Sequence, residues 1–225
     1  MRDTRKDEQY FDKCIANTRD RIKRFEQKLE SGEVLPERTA FIRDFILMLK
    51  IWMLIARYSR GDDIAQLRGE VELMADDFCK WWDTDAYTDN IRFASMAYLF
   101  GADEKVLCRI RESLCAKNQG KTHDKLIDYI LTGEQGDTTG KLAWEKSYHL
   151  LAEAIESKSA QPLKTYLSRW YSSHRSSEWY DTHKMADEKL LYKGYWCFEA
   201  AAVAKRAEID DHLIRDNKYY PKDLT

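Results

Sequence analysis

Glycine and proline are scarce in this chain of 225 residues, which holds 9 of the first and 3 of the second. Sheet proteins need frequent turns built from those residues, so the scarcity argues for long helices, as does the abundance of Ala, Leu, Lys, Glu and Arg. The fold expected is all-α, a compact bundle of roughly nine or ten helices built from helical hairpins. Long apolar runs are also missing. The most apolar segment, FILMLKIWMLI at 45–55, spans 11 residues and is broken by Lys50, short of the roughly 20 that cross a bilayer, and reads as a buried helix. The N-terminal MRDTRKDEQYFDKC is charged throughout and lacks the apolar stretch of a signal peptide, so a cytoplasmic protein is expected. No sign of charge dominates: 37 basic residues face 39 acidic ones, a net −2, which gives no overall field toward nucleic acid or membrane. The cysteines at 14, 79, 108, 115 and 197 form no CxxC pair and leave an odd thiol. That excludes a zinc knuckle and a disulfide framework, and reduced, buried thiols are expected.

Helix signals run the length of the chain. Residues 3–30 carry apolar positions compatible with one face and stop at Ser31 and Gly32. A second helix runs from Pro36 or Glu37 to Tyr58, apolar on most sides and therefore central. It closes at Gly61, with Asp62 or Asp63 as the next cap. Further helices are expected at 63–82, 87–100, from Asp103 onward, over KLIDYIL, at 141–156 and 160–172, and as one long helix at 185–207. The acidic cap after a short turn recurs at AEIDDHL near 210. The polar stretch at 115–124 separates the halves, giving domains of 1–118 and 119–225 packed as one globular unit, and 131–141 is a second flexible loop.

Familiar reaction centres are poorly matched. His123 and Asp124 form an HD dipeptide, as in metal-dependent phosphohydrolases, but no histidine precedes His123. Thr122 or Asp124 reads better as a helix cap. DDFCKWWD at 76–83 places Lys80 where a metal-binding carboxylate would be needed, and DTDAYTDN at 83–90 lacks the glycine of a calcium loop. No nucleophile elbow or phosphate loop is present. No cofactor or metal is expected, and no catalytic residue is assigned.

Local charge beside large rings is more distinctive. Residues 70–91 hold seven acids against one base, Lys80, a net −6. With Asp76, Asp77, Trp81, Trp82, Asp83, Asp85, Tyr87 and Asp89 this segment has the makings of an interface, since aromatic anchors ringed by charge are common at binding hot spots. The serine-rich turn with Glu178, Trp179, Tyr180 and Asp181 is the second choice.

The stretch YKGYWCFEAAAVAK at 192–205, followed by IDD and by KYYPKDL at 218–224, resembles the C-terminal half of PoNi-type immunity proteins, whose halves are the DUF1910 and DUF1911 domains. MRDTRKDEQYFDK resembles the start of the first half. The matching residues are Gly194, Tyr195, Trp196, Glu199, Ala200, Ala201, Tyr219, Tyr220, Pro221, Asp223 and Leu224; Lys222 departs from an aromatic expected there. The resemblance implies a cytoplasmic immunity protein, not an enzyme. Its partner would be a cognate polymorphic nuclease toxin, encoded nearby and delivered to competing bacteria through secretion systems such as type VI. It implies no direct binding of nucleic acid or membrane, and a homodimer stays open.

Physically the motif reads as packing. Small residues at 200, 201, 202 and 204 let a helix approach closely, while Tyr195, Trp196 and Phe198 fill wider spaces. Glu199 then needs an Arg, Lys or tyrosine hydroxyl beside it, with Arg2, Arg5 or Arg21 as a source. Two rivals stand beside the immunity reading: a helical hydrolase using His123 and Asp124, and an adaptor for a non-toxin partner.

Overall fold

The computed structural model describes residues 1–82, 87–117, 124–134 and 145–225. Among them are nine α-helices and no strand, the all-α architecture that the composition predicts. Their contacts group into two units, Met1–Asp83 with Ser177–Gly194, and Thr84–Ser176 with Tyr195–Thr225.

The first unit holds α1 (Glu8–Glu30), α2 (Thr39–Arg60) and α3 (Ile64–Trp81). Asp7 caps α1 through the Tyr10 amide, and a short 3-10 turn at Pro36–Arg38 leads into α2. Gly61, at φ 107°, ends α2 in the left-handed conformation that glycine tolerates. Asp63 caps α3 by accepting from Gln66 N. Asp62 has other work, taking hydrogen bonds from Arg57 and Arg60 at 2.7 Å each. Burial alone would raise its carboxyl, but those hydrogen bonds hold it below the usual range. The pairs Arg60–Asp12 and Lys50–Glu26 run α1 antiparallel to α2, and Lys50–Asp77 and Arg57–Glu70 do the same for α3. α2 therefore lies between its neighbours, as its apolar sequence requires. Ile22, Ile46 and Leu49 pack there with Phe25, Ile42, Phe45 and Trp52.

Residues 177–194 complete this unit and correct the expected helix at 185–207. They form turns, irregular chain and two short 3-10 helices, Thr182–Lys184 and Asp187–Lys189, with the α-helix beginning only at Phe198. The reason lies in the backbone: Leu190 and Gly194 are left-handed, at φ 49° and 118°, which breaks a right-handed helix. Polar groups near Tyr192 find side chains instead. Tyr192 N–H donates to the Tyr10 hydroxyl (2.9 Å), which donates back to Tyr192 C=O (3.2 Å), and Ser59 Oγ donates to Lys193 C=O (2.7 Å).

The second unit contains α4 (Tyr87–Leu99), α5 (Glu104–Lys117), α6 (Lys125–Thr132), α7 (Glu145–Ser157), α8 (Ala160–Ser173) and α9 (Phe198–Arg206). Asp103 and Asp124 cap α5 and α6 through the amides of Val106 and of Leu126 and Ile127. α9 packs on α4, α6, α7 and α8. Ala200, Ala201, Ala202 and Ala204 are buried on it, and α4 answers with buried Ala94, Ser95 and Ala97. Small residues on both helices permit close approach. At the end of α6, Arg206 donates to the carbonyls of Ile130 and Leu131 and lies 3.9 Å over the Tyr98 ring. It thereby satisfies helix-terminal acceptors that would otherwise lack partners.

The acidic junction near 210 starts no α-helix; turns follow at 212–216. Asp211 instead accepts from Arg215 (2.9 Å), the Tyr220 hydroxyl (3.1 Å) and Thr225 (2.9 Å), fastening the tail. The tail carries Tyr219, Tyr220 and Leu224 into burial. Among the cysteines only Cys14 and Cys197 are buried; Cys79 and Cys115 are half-buried and Cys108 is exposed. Periodicity within α5 turns Cys108 to solvent, so the expectation of buried thiols holds for two of the five.

Candidate functional site

The acidic segment looks different once its neighbours are included. α2 presents Arg43, Lys50 and Arg57 seven residues apart, and α3 meets that line with Glu70, Asp77 and Trp81. Arg57 pairs with Glu70, Lys50 pairs with Asp77 at 3.1 Å, and Arg43 lies 4.9 Å over the Trp81 ring. Lys80 lies 4.7 Å over the same ring. Glu72 pairs with Arg68 at 3.2 Å, and Asp89 of α4 pairs with Arg92. Much of the apparent net charge is thus cancelled by bases outside the segment, and several of its acids hold helices together. Trp82 is buried and stacked on Phe78 at 5.4 Å. Asp83 and Asp85 lie outside the described residues.

The outward face of α3 includes Leu73 and Asp76. Asp76 is exposed, and one turn before it Leu73 is 77% exposed. The charge pattern did not single out Leu73. The signal was available as an apolar residue on the polar side of an amphipathic helix.

The turn at Glu178, Trp179, Tyr180 and Asp181 belongs to the first unit. Glu178 is exposed and the other three are half-buried. The turn is well ordered by local bonds: Trp179 C=O accepts from the Thr182 hydroxyl (2.8 Å), and Asp181 pairs with Lys184 (2.9 Å). Asp181 sits at φ 57°, a conformation that Asp adopts more readily than most residues.

Tyr87 and Asp124, from two different expectations, meet in the second unit. The Tyr87 hydroxyl donates to Asp124 Oδ1 at 3.0 Å, the same oxygen that caps α6. Burial and then the Asp124 charge push the phenol well above its ordinary range. Tyr87 is therefore engaged within the fold, as is the carboxylate of the HD dipeptide. His123 lies outside the described residues, and so does Thr122.

Glu199 anchors the C-terminal motif. It is 6% exposed, and its Oε1 accepts from Trp170 Nε1 at 2.6 Å and from the Tyr166 hydroxyl at 3.0 Å. The expected tyrosine partner is present. The arginines expected as a source have partners within the first unit: Arg2 donates to the carbonyls of Tyr58 and Asp62, Arg5 to Asp3, and Arg21 lies over Phe45. Trp170 was missed because it stands 29 positions away with no local pattern linking the two. Hydrogen bonds to a charged group are worth about 1.5–3 kcal/mol, enough to offset much of the cost of burying this carboxylate. Burial, reinforced by Glu199, pushes both the Tyr166 phenol and the Cys197 thiol well above their usual ranges. Around this centre Tyr195 packs on Tyr171 (5.0 Å), Tyr219 stacks on Tyr171 (5.2 Å), and Cys197 N–H donates to Tyr219 C=O (2.8 Å). Trp196, Ala200, Ala201 and Tyr220 are buried. Pro221 is also buried, Leu224 C=O accepts from Lys205 Nζ at 2.7 Å, and Asp223 is exposed. Gly194 uses its left-handed conformation to lead into the motif.

These features define an all-α protein whose most distinctive side chains build contacts between its own helices. Family comparison places it further. The model for PoNe immunity protein (PoNi), N-terminal, matches residues 2–112, and that for PoNe immunity proteins (PoNi), C-terminal, matches 122–224. The chain belongs to the PoNe immunity protein family, and membership implies a cognate toxin as its partner. No curated protein and no solved structure shows a significant match. No helix among the described residues is long and apolar enough to cross a membrane.

Proposed function

We propose that this chain is a cytoplasmic, non-enzymatic immunity protein that binds a cognate nuclease toxin stoichiometrically and occludes its active or DNA-binding cleft. The observation that carries the reading is the pair of family matches covering residues 2–112 and 122–224. Tight binding follows from the role, since free nuclease would kill its producer; a nanomolar complex, about −12 kcal/mol, is the scale required.

Toxin contact is assigned to the first unit, with Leu73 and Asp76 on the outward face of α3 as the principal elements. An exposed apolar side chain beside an exposed carboxylate suits a partner that carries a basic, DNA-binding surface. Trp81, flanked by Arg43 and Lys80, borders this face. The 178–181 turn is a second contact. Specificity would arise from this exposed surface, and the Glu199 centre would serve only to keep the second unit folded.

Co-expression with the toxin encoded beside it provides the test. Wild-type protein should rescue growth and co-purify with the toxin. Asp76→Lys combined with Leu73→Asp should lose both while keeping the native circular dichroism. Rescue unaffected by that pair would move the contact to the 178–181 turn, and failure of the wild type to rescue or bind would remove the immunity reading.

A further inference from the structure

Cys14 is fully buried on α1, yet its sulfur is not in apolar surroundings. Lys193 Nζ lies 2.6 Å from Cys14 Sγ and donates at 2.6 Å to Leu190 C=O, while the carbonyls of Leu190 and Tyr192 each stand 3.7 Å from the sulfur. A nitrogen 2.6 Å from sulfur is closer than even an ordinary N–H···O hydrogen bond, about 2.7–3.2 Å, although sulfur is the larger atom. Such a separation suits two atoms joined through one intervening oxygen. Both residues are held in place. Cys14 lies within the second turn of α1, and Lys193 is fixed by Ser59 on its carbonyl and by the Tyr10–Tyr192 pair beside it.

We propose that Cys14 and Lys193 form a redox modification site, at which peroxide converts the pair into a reversible Cys–S–O–NH–Lys bridge. One peroxide oxidises the thiol: an S–O bond forms, the O–O bond breaks, and water carries away the thiol proton, leaving a sulfenic acid. A second peroxide oxidises the lysine nitrogen to a hydroxylamine, after its ammonium proton has passed to solvent. An N–O bond forms, the O–O bond breaks and water leaves. Condensation of the two hydroxyl groups closes the bridge and releases a third water. In sum, one thiol, one amine and two peroxides give the bridge and three waters, with four electrons passing from sulfur and nitrogen to the peroxide oxygens. Lys193 is half-buried and marks the side from which the oxidant arrives. Full burial of Cys14 means that entry needs local opening of 190–193, so the reaction is slow and selective. The bridge would clasp the 177–194 segment to α1 covalently, replacing contacts that now depend on hydrogen bonds.

Intact mass and peptide mapping after treatment with dilute hydrogen peroxide test the site. Wild-type protein should gain about 14 Da, one oxygen in and two hydrogens out, in a linked peptide pair containing residues 14 and 193, and dithiothreitol should reverse it. Amide exchange at 190–193 should slow about tenfold in the bridged protein. Lys193→Arg, which keeps the charge without the amine, should give no linked pair. The proposal fails if the wild-type map shows Cys14 unmodified, or shows only gains of about 16, 32 or 48 Da on Cys14 alone. It also fails if the linked pair persists in Lys193→Arg. Should the variant not fold, the wild-type map decides the matter by itself.

Discussion

The two units are held by different physics. In the first, helix meets helix along a ladder of opposite charges, Arg57 to Glu70 and Lys50 to Asp77, with Asp62 gathered between Arg57 and Arg60. In the second, alanines of α9 pack on small residues of α4 while a buried carboxylate is satisfied by a tyrosine and a tryptophan. Partly exposed ion pairs contribute little each and tolerate exchange, whereas a buried polar centre in a close-packed core tolerates almost none. The C-terminal motif lies in the second unit apart from Gly194, and the proposed toxin contacts lie in the first.

Breaking the Glu199 centre should have the largest effect. Glu199→Ala removes the acceptor shared by Tyr166 and Trp170 and leaves both donors buried without it. A loss of about 3 kcal/mol is expected in denaturant unfolding followed by tryptophan fluorescence. Glu199→Gln, which keeps an acceptor oxygen, should lose about 1 kcal/mol. Close packing is tested next by Ala201→Leu, for which overpacking against neighbouring helices should cost about 1–3 kcal/mol.

In the first unit, Asp77→Lys should cost about 1 kcal/mol or less, with part of the loss recovered in the swapped pair Lys50→Glu with Asp77→Lys. That cycle also guards the binding test: reversing Asp77 disturbs the fold and binding together, whereas exposed Asp76→Lys should change stability by no more than about 0.5 kcal/mol.

Opposite ends of the pH scale should separate the units. Asp62 is held below its usual range, so its contribution is complete above the unfolded value, about 3.9, and is lost as pH falls through the folded one. Tyr87, Tyr148, Tyr166 and Tyr220 are raised by burial. Their contribution is complete below about pH 10 and is lost as pH rises through the folded values above it. Regional hydrogen exchange should show acid loosening the 57–62 region first and alkali loosening α4, α7, α8 and the C-terminal tail, with Tyr192 as the alkaline weak point of the first unit.

Helix ends were legible at Gly61, Asp63, Asp103 and Asp124, because capping is a local interaction, whereas the acidic signal near 210 misled, Asp211 being taken up in fastening the tail. The segment 185–197 was not. Its residues are acceptable in a helix, and the left-handed turn at Leu190 is imposed by contacts with Tyr10, Cys14 and Ser59, more than 130 positions away in sequence. The pairing of the acidic segment was not legible either: charge counted along α3 omits the bases that α2 brings across from it. The candidate surface could be read as residue types, but the distinction between Asp77 as a helix tie and Asp76 as an outward group needed three dimensions.

The proposed inhibition is checked by titrating the purified cognate toxin with this protein while DNA cleavage is followed. DNA cleavage should fall linearly to zero with a sharp break at about one equivalent, the form expected when the complex is nanomolar or tighter. Undiminished DNase activity in the presence of a large molar excess of folded protein would contradict it.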